Sequence, residues 1–159
     1  EKGEDFHPRY SCKSKVYKYV IYNGQYKNPF YKDRALFINY RIDMDKLNEA
    51  LKKFEGRHDF KAFMSKHTQK DDTIREVYSA SAERAGELIE IKIHGNGFLH
   101  NMVRIMVGTA LSYERGRLKL SIEEILDKKD RSLAGVTAPA HGLYLDKVFY
   151  QGEIYDKKN

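Results

Sequence analysis

One arginine interrupts an otherwise apolar run. The segment Gly95-Asn96-Gly97-Phe98-Leu99-His100-Asn101-Met102-Val103-Arg104-Ile105-Met106-Val107-Gly108 contains no other fixed charge. Read as a helix, with about 100° between successive side chains, it puts His100, Asn101, Arg104 and Gly108 on one face. Phe98, Met102, Ile105, Met106 and Thr109 then lie around the rest. A guanidinium taken out of water without a counter-ion costs several kcal/mol, so either an anion meets Arg104 or its face is open to solvent. Gly108, one turn further on, lets another backbone or a ligand approach that face. A second candidate is the run Lys15-Val16-Tyr17-Lys18-Tyr19-Val20-Ile21-Tyr22, in which Tyr17, Tyr19 and Ile21 share a face if it is a strand. Aromatic and guanidinium groups stack on bases and cations bind phosphates, so twelve tyrosines in a basic chain suit an RNA surface. Sheet core is the competing explanation for any single one of them.

Composition narrows the chemistry further. The 159 residues, 41% hydrophobic and 33% charged, fit one globular domain with a sizeable core. Lys and Arg number 29 against 23 acidic residues, a net charge of +6 that favours a polyanionic partner. Cys12 is the only cysteine, which rules out an intrachain disulfide and a zinc site built on cysteine pairs. The six histidines follow no metal-binding spacing, so no metal site is expected. Gly95-Asn96-Gly97 lacks the third glycine of a dinucleotide loop. Asp71-Asp72 reads as loop and Glu123-Glu124 as the acidic first turn of a helix, and no nucleophilic triad can be argued from spacing. No apolar run approaches the roughly 18 residues of a membrane span, and the charged N-terminus has no signal-peptide core. A soluble, cytoplasmic protein is expected, and a start at Glu1 rather than methionine points to a trimmed chain.

These candidates need elements to hold them. A strand over residues 15–22 is ended by Asn23-Gly24, and a second strand is expected over 35–41. Asp43 is placed to cap a helix with Met44, Leu47, Leu51 and Phe54 on one stripe, stopped by Gly56. A short helix is predicted over 58–63. The polar stretch 65–72 then predicts a mobile loop carrying Lys66, His67 and Lys70. Strands over 74–82 and 88–94 flank Ala85-Gly86 as a hairpin with Ile89, Ile91 and Ile93 inward. The arginine-bearing helix runs to about residue 113, and Ser121-Ile122-Glu123-Glu124 is a capping box that opens another. Asp130 caps a further turn, residues 137–142 form a loop, and a last strand covers 143–150. The class is α+β: a largely antiparallel mixed sheet packed by helices.

Six segments in order carry a resemblance. They are Phe6-His7-Pro8-Arg9-Tyr10; Lys15-Val16-Tyr17-Lys18-Tyr19; His58-Asp59-Phe60 with Phe63; the run from Gly97 to Gly108; Asp130-Arg131 with Ala134-Gly135; and Thr137-Ala138-Pro139-Ala140-His141-Gly142-Leu143-Tyr144-Leu145. Together they resemble the C-terminal half of the A-type tRNA pseudouridine synthases. In that family a carboxylate attacks the target uridine, and the base detaches, turns and reattaches through carbon without a cofactor. The resemblance implies that Tyr17 stacks on the uracil and assists the final proton removal, and that Arg104 pairs with the nucleophilic aspartate. Leu143 would touch the base, and His100 and Asn101 would bind substrate. That aspartate lies in a Gly-Arg-Thr-Asp motif upstream of the Phe-His segment, and Glu1 to Asp5 do not supply it. Asp59 belongs to a different family motif and is not the nucleophile. The expectation is therefore a C-terminal domain, residues 1–159, that carries half an active site and is inactive alone. Completed, it would act on the anticodon stem-loop of tRNA as a homodimer. The alternative is a non-catalytic RNA-binding or dimerisation module.

Overall fold

Alternation along β1 (Cys12–Tyr22) sorts the molecule into two faces. Tyr19 and Ile21 point to one side and are fully buried, together with Ile89, Ile91 and Ile93. Val20 and Tyr22 point to the other side and form a smaller cluster with Ala35, in which Tyr22 stacks on Tyr31 at 5.0 Å. The computed structural model describes residues 12–150, so the Phe6-to-Tyr10 segment lies outside the described residues.

Around β1 the chain lays down β2 (Leu36–Phe37), α1 (Met44–Lys52), β3 (Gly56–Asp59), β4 (Ile74–Ala85) and β5 (Leu88–Gly95). It continues through α2 (Met102–Glu114), α3 (Ile122–Lys128) and β6 (Leu143–Tyr150). The sheet order is β2-β1-β5-β4-β3, with β6 also paired to β1. Among the described residues β1 and β2 run parallel and the other pairs are antiparallel. The α+β architecture is the expected one. Helix α2 supplies Met102, Val103, Ile105, Met106 and Val107 to the main core, beside Leu47, Leu51 and Phe54.

Local signals explain most boundaries. Asp43 accepts from the amides of Asp45 and Lys46, and Ser121 with Glu124 completes the capping box of α3. The expected strand over 35–41 shrinks to two residues because Asn23 takes over the backbone beyond it. Its Nδ2 donates to the carbonyls of Ile38 and Tyr40 at 2.8 and 2.7 Å, and its Oδ1 accepts from the Ile42 amide at 3.2 Å. Those groups are satisfied without a ladder. The short helix expected over 58–63 is instead β3 followed by a 3-10 turn at Lys61–Phe63. Gly56, at φ +110°, reverses the chain so that residues 56–59 pair with β4.

Candidate active site

Helix α2 begins later than its sequence suggests. Asn101 sits at φ 62°, ψ 11°, a left-handed conformation that cannot propagate an α-helix, so His100 and Asn101 precede α2 and do not share its face. Arg104 is the third helical residue. Its Nε–H donates to the Ala138 carbonyl at 2.7 Å and Nη1 donates to Asn101 Oδ1 at 3.2 Å. The sequence posed a choice between an anion and open solvent, and the structure answers with neutral acceptors around a half-buried guanidinium. Among the described residues no carboxylate forms an ion pair with Arg104, and Nη2 is left to meet one.

The loop that supplies Ala138 is pressed onto α2. The Ala138 amide donates to the Arg104 carbonyl at 3.0 Å. A Cβ on Gly108 would lie 1.7 Å from the Val136 oxygen, so Gly108 admits another backbone, as its position suggested. The Gly135 amide donates to Thr109 Oγ1 at 2.8 Å, and a Cβ there would stand 2.7 Å from the Thr109 Cα. Arg131 closes the loop on itself through the Gly135 carbonyl and Thr137 Oγ1. Tyr19 anchors the far side: its hydroxyl donates to the Pro139 carbonyl at 2.6 Å, and Gly142 abuts its ring. Burial pushes the Tyr19 phenol well above its ordinary pKa, with nearby Arg104 opposing, so the group stays a neutral donor.

Tyr17 lies two residues along the same face of β1, where the sheet opens. It is half-buried and meets Phe98 edge-on at 5.1 Å and 89°. Two irregularities bracket this end. The β1–β6 ladder skips Asp146 between Val16↔Lys147 and Tyr17↔Leu145, and the β4–β5 ladder skips Tyr78. Leu145, opposite Tyr17, is 53% exposed, whereas Leu143 lies opposite Tyr19 and packs half-buried against the core. Beyond Phe98 runs a groove of about 840 Å³ whose lining includes Lys15, Arg57, Arg75, Asp72 and Leu145. Cations outnumber the single carboxylate among its described lining residues, which suits a phosphate backbone.

The segment 95–101 joins the two parts, contacting Tyr17 through Phe98 and Arg104 through Asn101. Asn101 Nδ2 donates to Ser65 Oγ at 2.8 Å, and exposed His100 places Nδ1 3.0 Å from the same oxygen. Sequence reasoning did not single out Ser65, Arg131, Phe98 or Leu145 for the site. Ser65 acts through contacts some 35 residues away, which no local pattern announces, whereas Arg131 bonds within its own loop. No cluster of three or more His, Cys, Asp or Glu side chains among the described residues can hold a metal ion. No helix among them is long and apolar enough to cross a membrane.

The fold thus brings an arginine and a tyrosine to adjoining elements of an α+β structure, beside a groove whose charged lining residues are mainly cations. A family model described as tRNA pseudouridine synthase matches residues 50–151, and the chain belongs to that family. It is 44% identical over 151 residues to tRNA pseudouridine synthase A of Anoxybacillus flavithermus, covering 94% of this chain and 61% of the relative. The enzyme of the same name from Geobacillus kaustophilus is 41% identical, covering 96% of this chain and 60% of the relative. That of Leptospira interrogans is 39% identical, covering 94% and 75%. The chain thus spans about three fifths of the length of the first two.

Proposed function

We propose that this chain is the C-terminal domain of an enzyme that isomerises uridine to pseudouridine in the anticodon stem-loop of tRNA, acting as a homodimer. The observation that carries this reading is Arg104, held by two neutral contacts with Nη2 directed to no acceptor among the described residues. An aspartate from a Gly-Arg-Thr-Asp segment outside residues 1–159 fills that position. Paired with a guanidinium, such a carboxylate stays ionised and oriented, as a nucleophile requires. Uridine extruded from the loop stacks on Tyr17, with Leu143 and Leu145 as apolar edge contacts. Once the bond from nitrogen breaks and the bond from carbon forms, the proton on that carbon must leave, and in this reading the Tyr17 hydroxyl assists its removal. His100 and Asn101 flank the RNA path. No step calls for a cofactor.

The test is pseudouridine formation on unmodified tRNA by this chain alone and by the chain joined to its upstream segment. Activity only in the joined protein is expected, and Arg104→Ala or Tyr17→Ala in that protein should lower turnover by about a thousandfold or more. Wild-type rates in either variant would overturn the assignment. Tight tRNA binding without turnover in the joined protein would favour the binding-module reading.

A further inference from the structure

Asn101 occupies an unusual place. It stands at the helix N-terminus in a left-handed conformation, yet its side chain makes no capping bond to α2. A helix-start asparagine ordinarily satisfies the free amides of the first turn, and a non-glycine residue at positive φ carries backbone strain. Here both the cap and the relaxed backbone are forgone, and the amide is spent between Arg104 and Ser65. Its orientation is fixed by chemistry: a guanidinium only donates, so Oδ1 must face Arg104, which leaves Nδ2 to donate to Ser65 Oγ. Ser65 is in turn tied to His100 twice, by its amide donating to the His100 carbonyl at 3.3 Å and by the Oγ contact to Nδ1 at 3.0 Å. Ser65 also opens the polar stretch bearing Lys66, His67 and Lys70. Lys66 and His67 line a groove of about 440 Å³ opposite Arg131, Val136 and Thr137, the loop whose next residue, Ala138, takes the Arg104 Nε bond.

We propose that Asn101 and Ser65 are positioning residues that set the plane of the Arg104 guanidinium and link it to the basic loop at 65–70. Ala138 fixes one edge of the guanidinium through Nε. The Asn101–Ser65 pair fixes a second through Nη1, and two fixed edges leave Nη2 aimed in one direction. With the second edge released, the guanidinium turns about its Nε bond and the carboxylate it holds loses its line of attack.

This rests on the catalytic reading of Arg104, and the experiment separates the two. In the chain itself, NMR of the Arg104 Nε–H and Nη groups reads guanidinium rotation directly. Ser65→Ala and Asn101→Gly should both speed that rotation, and Ser65→Thr, which keeps the hydroxyl, should restore it. In the joined enzyme, Asn101→Gly removes the backbone strain and keeps the fold, so its kcat should fall by about ten- to a hundredfold, a larger change than any in KM for tRNA. A merely structural role would instead lower stability without this split. Unchanged rotation in Ser65→Ala and Asn101→Gly, or wild-type kcat in Asn101→Gly while Arg104→Lys is crippled, overturns the proposal. Wild-type kcat in Arg104→Lys together with faster rotation in the Ser65 and Asn101 variants would sink the catalytic reading and leave the positioning contact standing.

Discussion

The Arg104 end and the Tyr17 end of β1 are built on opposite principles. Around Arg104 the backbone is packed as closely as it can be: Gly108 and Gly135 admit direct contact between helix and loop, and Tyr19, fully buried, is bonded to Pro139. Around Tyr17 the β1–β6 ladder is interrupted, as is the β4–β5 ladder one strand further on, and Leu145 and Ile74 are left exposed at the groove. Under the proposed function, a fixed charge that must aim at one atom gains from the rigid end, because misplacing it by an ångström costs turnover. Under the same proposed function, a ring that must admit a splayed-out base needs the open end, since a filled site has no room to stack anything. The two designs sit two residues apart on one strand.

The sharpest way to break the contrast is at Gly108. Gly108→Ala puts a Cβ into the Val136 carbonyl, and the clash is with backbone rather than a flexible side-chain tip. The loop must move off the helix, costing about 3 kcal/mol in chemical denaturation, and Arg104 loses its Ala138 acceptor with it. A variant as stable as the wild type would mean that the loop is not held there. Next in size is Tyr19→Phe, which keeps the ring against Gly142 and strips the Pro139 carbonyl of its donor. A loss of about 1–2 kcal/mol is expected, with no change in the sheet. An unchanged denaturation midpoint would show that the bond carries no net weight.

The tight end was only partly legible beforehand. Gly108 on the Arg104 face announced a close approach, but which backbone arrives depends on a loop nearly thirty residues later. The caps at Asp43 and Ser121 and the inward isoleucines of β5 were readable because helix starts and strand faces are set by neighbours in sequence. The start of α2 was not, because apolar spacing runs unbroken from Phe98 into the helix while the left-handed turn at Asn101 stops the helix from extending back. Likewise Asn23 read as a strand end, and its further work of holding residues 38–42 needs groups brought together only by the fold. Tyr17 and Arg104 were legible as chemical types, and their approach to one segment through Phe98 and Asn101 was not.

At the open end, Tyr17→Phe tests the other half of the contrast. The ring stays against Phe98, so stability should hold within about 0.5 kcal/mol. Substrate stacking should also survive, leaving KM for tRNA near its wild-type value. If the hydroxyl takes the final proton, kcat in the joined enzyme falls and an intermediate with carbon-linked base accumulates. A variant that is fully active would restrict Tyr17 to stacking and send the proton elsewhere.

The smallest effect expected is a pH slope, and it belongs to the same open end. His94 on β5 places Nε2 2.9 Å from Ser14 Oγ and packs against the rings of Tyr78 and Phe149 at 5.0 and 5.4 Å. Burial there disfavours the charged imidazolium and lowers its pKa below the ordinary value near 6.5. As pH falls through that ordinary value the unfolded chain takes up the proton first, so the native state is progressively disfavoured until the folded-state pKa is also passed. Stability from this group is therefore complete at neutral pH and is lost on acidification, the reverse of a histidine held by a carboxylate. Melting temperatures should decline from about pH 7 to about pH 5, and His94→Gln, which can still reach Ser14 but does not titrate, should remove part of that decline. Superimposable pH profiles for the two proteins would mean that the bulged end leaves His94 as well hydrated as in the unfolded chain, and the contrast in packing between the two ends would stop short of this residue.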